Sequence, residues 1–287
     1  MSQTEPKLPI LGLTTLMFTI FSIVHTQLPA MSEEVVPEPK QEQEQEQEQE
    51  QEQEQEQEQL SAVDLYNRGV DKLEAGDYGG AASDFSDALK LDPNDADSHY
   101  NRGYAYQNLG NQRAAVYDYT EAIKIKPDYQ QAYINRGAAY LSWSKYKEAI
   151  ADFDEVIKLS SKNEAALLSR GNAHHQLEDY QAALADYQEV ISHNAKNVMA
   201  YYQRGLTYNQ LQQHEEALAD YNEALQIKPT FAEAFHNRGI TKFKLENTEE
   251  AIEDLEKAAE LYQQEGKTES YQSAMDAIKQ IKEFSGS

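Results

Sequence analysis

An Arg-Gly pair recurs every 34 residues, at Arg68-Gly69, Arg102-Gly103, Arg136-Gly137, Arg170-Gly171, Arg204-Gly205 and Arg238-Gly239. No insertion breaks the count between the first and the last. A fixed period of this length specifies stacked units, each in contact only with its neighbours. The chain is therefore expected to form an elongated solenoid, which presents an extended surface rather than a deep catalytic cleft.

The rest of the unit keeps the same register. Ala stands at 81, 115, 149, 183, 217 and 251, and Asp at 84, 118, 152, 186, 220 and 254. A large residue follows each Asp: Phe85, Tyr119, Phe153, Tyr187, Tyr221 and Leu255. Pro closes three of the units, at Pro93, Pro127 and Pro229. Steps of three and four put Leu65, Gly69 and Lys72 on one helical face, and Ala81, Phe85, Ala88 and Leu89 on another. A short breaker, Gly76-Asp77 or Gly110-Asn111, divides the two helices. The recurring Gly and Ala are expected to face one another, where small side chains let the backbones approach.

The pattern of Gly, Ala, aromatic, second small residue and Pro resembles the tetratricopeptide repeat, a 34-residue helix-turn-helix unit. The resemblance implies an all-α fold: a right-handed α-solenoid of six repeats over residues 62–265 plus a C-terminal capping helix. The units are 62–95, 96–129, 130–163, 164–197, 198–231 and 232–265, and the cap and tail occupy 266–287. Ser161 and Ala195 stand where Pro is expected, so those two turns are expected to be looser. The amphipathic tail Glu269–Phe284 would cover the last apolar face, as solenoids require.

Arg and Asp form two parallel ladders. In antiparallel helices Arg68 comes level with Asp84, and likewise down to Arg238 and Asp254. The expected arrangement is an ion pair within each unit that fixes how its helices dock, because a buried Arg without a partner is costly. The alternative is a row of free guanidinium groups that grip carboxylate or phosphate.

The formal net charge is −25. Residues 32–59 carry −11 of it, residues 1–31 cancel, and the remaining −14 lies on the repeats and cap. Such acidity argues against nucleic acid, whose phosphates need Lys and Arg, and against docking on anionic lipid. There is no cysteine, so disulfides and thiolate metal sites are excluded. Residues 1–31 contain the uncharged stretch Leu8–Val24, the length of a short membrane span. Leu28-Pro29-Ala30 is a poor cleavage site, so an uncleaved signal anchor is favoured over a cleaved signal peptide. Lys7 before the stretch keeps the N-terminus inside and places the repeats on the exported side, periplasmic or lumenal; cleavage would make the protein secreted. Residues 32–61 form an acidic Gln/Glu linker that cannot bury a core and spans about 30 Å as a coil.

No arrangement for catalysis stands out. Gly266-Lys267-Thr268 lacks the upstream Gly of a phosphate loop, since Leu261 occupies that place. His174 and His175 point to different helix faces and have no metal-ligand companions. The chain is read as not an enzyme, with no cofactor and no metal.

In tetratricopeptide domains the first helix of each unit lines a concave groove. Carried over by position, the groove candidates are Tyr66, Asn67, Tyr100, Asn101, Tyr104, Gln107, Asn108, Asn135 and Leu141. Further along they are Asn172, His175, Gln176, Tyr202, Gln203, Asn209 and Asn237. Tyr offers large contact area with few torsions to freeze, and Asn and Gln can bond peptide backbone. About half of these Tyr are expected to stack between units instead. Some family members clamp the acidic tail of heat-shock chaperones with Lys; here those positions are Tyr66, Tyr100, Ile134, Leu168, Tyr202 and His236, and no chaperone tail is expected. The Tyr-rich unit ending in Asn-Arg-Gly is similar in style to repeats of cyanobacterial and photosystem-assembly proteins. The resemblance implies a scaffold that binds a protein or peptide segment in assembly or maintenance of a membrane-associated complex. The alternatives are a soluble exported adaptor and, as a remoter reading, an enzyme subunit.

Overall fold

The structure, a computed structural model, describes residues 60–285. The apolar stretch Leu8–Val24 and nearly all of the Gln/Glu linker lie outside the described residues. Within them no helix is long and apolar enough to cross a membrane.

The described residues form thirteen helices and no strand. Unit one pairs α1 (Ala62–Glu74) with α2 (Tyr78–Leu91), and unit two pairs α3 (Ala96–Asn108) with α4 (Gln112–Ile125). Units three and four are α5 (Gln130–Ser142) with α6 (Tyr146–Leu159) and α7 (Glu164–Gln176) with α8 (Tyr180–His193). Units five and six are α9 (Val198–Gln210) with α10 (His214–Ile227) and α11 (Ala232–Lys244) with α12 (Thr248–Gln264). The tail forms α13 (Thr268–Ser285).

Seven of the helix starts carry side-chain caps. Ser61 and Asp64 form a reciprocal capping box on α1, and Asp95, Asn163 and Asn197 accept backbone N–H bonds at the starts of α3, α7 and α9. Asp77, Asn111 and Asp179 cap three of the second helices. Each such cap contributes about 1 kcal/mol.

The bend between paired helices is built by backbone. In unit one Gly76 N–H donates to the Leu73 carbonyl and Asp77 N–H to the Lys72 carbonyl, at 3.0 and 2.8 Å, with Gly76 at φ 77. This is the left-handed cap that satisfies the last carbonyls of a helix. The same pair of bonds recurs with Gly110, Ser144, Glu178, Gln212 and Glu246 as the left-handed residue, and again with Gly266 before α13. In units three to six that residue is not Gly, although a left-handed backbone costs an L-residue about 1 kcal/mol or more.

The turns at Ser161 and Ala195 are not looser than those with Pro. Ser160 N–H bonds the Val156 carbonyl and Asn194 N–H the Val190 carbonyl, both at 2.8 Å, as Asp92 does to Ala88. The helix therefore ends at the same place without Pro. Asn163 and Asn197 then bond back to residues 160 and 194 at 3.1 and 3.0 Å and close the turn.

The core is a column of repeated contacts. Ala81, Ala115, Ala149, Ala183, Ala217 and Ala251 are fully buried, and the six large residues that follow the Asp ladder are at most 1% exposed. The Gly of each Arg-Gly pair faces one of those residues. At Gly171 a Cβ would lie 2.7 Å from the Tyr187 ring, which is why a side chain does not fit there. At the C-terminal end α13 buries Ala274, Ile278 and Ile281, the last two against Ala251 and Leu255.

Successive first helices touch one another, α1 with α3 and onward to α11 with α13, whereas no two successive second helices do. First helices therefore form the inner row of the solenoid and second helices the outer row. The cap α13 continues the inner row.

Candidate functional site

The Arg ladder belongs to the architecture. In every unit the guanidinium Nε and Nη2 donate to the two oxygens of the Asp on the second helix, at 2.7–3.0 Å and 2.6–2.7 Å. Two parallel charge-assisted bonds fix both distance and orientation. From unit two onward the remaining Nη1 reaches back to the preceding second helix. Its partners are Ser86, Thr120, Asp154, Gln188 and Asn222. Each of these Arg side chains thus staples three helices. The sequence reading anticipated the Asp partner and missed the second one, which sits two residues after each preceding Asp and varies between Ser, Thr, Asp, Gln and Asn. The common signal is only the ability to accept a hydrogen bond.

The inner row carries a second ladder. Asn101 donates to the Tyr66 hydroxyl, Asn135 to Tyr100 and Asn237 to Tyr202, at 3.1, 3.1 and 2.9 Å. Each bond joins a first helix to the one before it. Burial raises the pKa of Tyr66, Tyr100 and Tyr202 above the ordinary phenol value, so all three are neutral. Tyr100 also lies against Tyr129, and Tyr202 against Phe231, with ring centroids 5.0 and 4.8 Å apart. Tyr129 and Phe231 were not among the sequence candidates; they occupy the last position of units two and five, in the turn before the next first helix.

The remaining candidates divide in two. Gln107 accepts from the buried Tyr119 hydroxyl at 2.8 Å. Asn209 donates to Tyr221 and Thr241, and His175 Nδ1 bonds Thr207 at 2.9 Å. Asn108 turns back onto the Tyr104 carbonyl, and Leu141 packs beside Phe153. Burial lowers the His175 pKa and favours the neutral ring. Asn67, Tyr104, Asn172, Gln176 and Gln203 make no side-chain hydrogen bond among the described residues and are exposed or half-buried. Tyr104 is 39% exposed. The row is thus a surface of phenol, amide and aliphatic groups, part engaged in joining units and part open.

Among the described residues no group of three or more His, Cys, Asp or Glu could hold a metal ion. No guanidinium of the Arg ladder is left without its carboxylate, so the row offers no comb of free cations to an anionic ligand.

Comparison with known proteins agrees with this geometry. A family model described as TPR repeat matches residues 71–110, 171–212 and 205–246. Two models described as tetratricopeptide repeat match residues 96–129 and 131–163, and residues 232–265. Among solved structures, MamA is 25% identical with a TM-score of 0.55, over 57% of this chain and 96% of MamA. YrrB, described as a TPR protein with an unusual peptide-binding site, is also 25% identical with a TM-score of 0.55, over 68% of this chain and 97% of YrrB. PilW, described as a widely conserved type IV pilus biogenesis factor, shares the fold at 20% identity and a TM-score of 0.63, over 75% of this chain and 98% of PilW. No curated protein matches the chain.

Proposed function

As a member of the tetratricopeptide repeat family, the chain is, we propose, a non-catalytic interaction scaffold that holds a peptide or protein segment along its inner row. The observation that carries this reading is the division of labour among polar groups. Arg and the ladder Asp are consumed in the staples, and between its charged ends the inner row is left with neutral donors and acceptors beside aromatic area. In each Tyr–Asn pair the amide donates and the phenol oxygen accepts, so the hydroxyl hydrogens of Tyr66, Tyr100 and Tyr202 remain available to a peptide carbonyl. YrrB, a TPR protein with a peptide-binding site, supports the same class of ligand.

The setting we propose is assembly or maintenance of a membrane-associated complex. Leu8–Val24 would anchor the chain, the Gln/Glu linker would hold the repeats away from the bilayer, and Lys7 would direct them to the exported side. Complete recovery of the full chain in the soluble fraction would remove the anchor and leave a soluble exported adaptor.

Photocrosslinking tests the groove. A photoreactive residue placed at Tyr104 or Asn172 of the full chain is expected to capture partner protein in native cells, and the same residue at outer-row Tyr117, 60% exposed, is not. Capture from Tyr117 alone would move the binding surface to the outer row.

A further inference from the structure

The inner row is not uniform along its length. Apart from His, α5, α7 and α9 carry only four charged side chains, Arg136, Arg170, Arg204 and Glu164. All four are engaged. The three Arg are locked in their Asp forks, and Glu164 accepts from Asn194 and Asn197 at 3.0 and 2.8 Å. The second helices of the same three units expose Glu148, Glu189, Glu215, Glu216 and Glu223. The inner row at the two ends is charged, with Asp71 and Glu74 in unit one and Glu233 and Lys244 in unit six. A repeat region with a net charge of −14 has therefore kept free charge off the middle of its groove.

Three further observations fall on the same stretch. The Tyr–Asn ladder lapses there: Ile134 and Leu168 take the Tyr places, and Ser169 and Gln203 the Asn places. Ala138 and Ala165 are exposed, and Met199 is 43% exposed, so the floor is apolar and open. The hydroxyl of fully buried Tyr187 has no partner. The equivalent hydroxyls of Tyr119 and Tyr221 are met by Gln107 and Asn209 from the inner row, whereas His175 at that place is turned to Thr207. An orphaned buried hydroxyl is rare in native folds.

We infer that units three to five are the recognition stretch and that they take an uncharged segment. Its aliphatic side chains would lie over Ile134, Leu168 and Met199, and its amide or hydroxyl groups would pair with Asn172 and Gln203. This rests on the groove reading above and names the partner chemistry within it. An acidic segment is repelled by the field of the whole region. A basic segment is drawn toward the protein, but over units three to five its charge loses hydration and meets no free carboxylate. An uncharged segment loses only hydrogen bonds that the amides of the row can restore.

The test uses the full chain and three synthetic peptide pools of equal length: one randomised in Ala, Leu, Ile, Ser, Asn and Gln, a second with Lys and a third with Glu at a third of positions. Binding is read by fluorescence anisotropy at low and high salt. The neutral pool is expected to bind about tenfold tighter than the others, a difference of about 1.4 kcal/mol, and to be insensitive to salt. Ala138→Asp, at an exposed inner position that leaves the core alone, should weaken it, and Ala151→Asp on the outer row should not. Tightest binding by the Lys pool, lost in salt and strengthened by Ala138→Asp, overturns the neutral chemistry and leaves the groove in place. Binding weakened by Ala151→Asp and indifferent to Ala138→Asp removes the groove itself. Failure of the neutral pool to bind overturns the proposal as well.

Discussion

Units one and three make the same Arg–Asp fork, with bonds of 2.9 and 2.7 Å in the first and 2.9 and 2.6 Å in the third. Their surroundings differ. Among the described residues Arg68 has no preceding unit to reach, its side chain is 47% exposed, and Lys72 shares Asp84 at 2.7 Å. Arg136 is 15% exposed, donates to Thr120 at 3.0 Å, and has Tyr140 where unit one has Lys72. The carboxylates respond in opposite senses. The Arg68 bonds hold the Asp84 pKa below its ordinary value, whereas burial pushes that of Asp152 above it despite Arg136. One residue pair, copied with the same geometry, thus differs in worth according to what is stacked upon it.

The largest expected consequence is in stability. Arg136→Met leaves a buried carboxylate without its cation and is expected to cost about 3 kcal/mol in urea unfolding of the full chain. Arg68→Met leaves Lys72 beside Asp84 at a half-open site and should cost much less. Equal losses would break the comparison.

The left-handed turns give a smaller contrast between the same regions. Gly76 sits at φ 77 with nothing within 4 Å of where a Cβ would be, so Gly76→Ala should cost about 1 kcal/mol from backbone alone. Glu178 holds the corresponding turn of unit four at φ 62, and Glu178→Gly should stabilise by about 0.5 kcal/mol, because relief of the strained backbone slightly exceeds the entropy that Gly adds to the unfolded chain. Thermal unfolding of both variants checks the two signs.

The smallest effect is in titration. The contribution of Asp84 is present above the ordinary carboxylate pKa and is lost as pH falls through its lowered folded value. That of Asp152 has the opposite sense: it is full below the ordinary value and declines as pH rises through the raised folded value. Carboxyl carbon NMR should place the Asp84 midpoint below that of Asp152. The reverse order would show that the Arg136 fork outweighs burial.

The parts of this molecule that repeat by residue identity were legible in the sequence. Arg68 and Asp84 share a spacing with five other pairs, and a pairing of helices follows from that spacing once the period is seen. The pattern leads to the expectation that about half of the groove Tyr stack between units; the links that join Tyr66, Tyr100 and Tyr202 to the next unit are instead hydrogen bonds from Asn, which stacking area alone does not announce. What repeats by geometry alone was hidden. Ser144, Glu178, Gln212 and Glu246 hold a left-handed turn that only Gly76 and Gly110 announce, because the cap is made by backbone N–H groups that every non-Pro residue carries. The back-reaching staple was hidden for the same reason, since Ser86, Thr120, Asp154, Gln188 and Asn222 have in common a lone pair and no identity. The lapse of the Tyr–Asn ladder was visible as substitutions at 134, 168, 169 and 203, but only the bonds made by its intact rungs give those substitutions meaning.

The Arg staple reaches 16 residues forward to its Asp and 16 back to an acceptor in the unit before. Its reach is set by the repeat period and is indifferent to which copy it belongs to. Gain or loss of one whole interior unit by gene duplication or deletion would leave every surviving Arg with the partners it has now, while a partial change would strand one. The staple therefore acts as a length rule on evolution, admitting longer and shorter versions of this array only in whole steps.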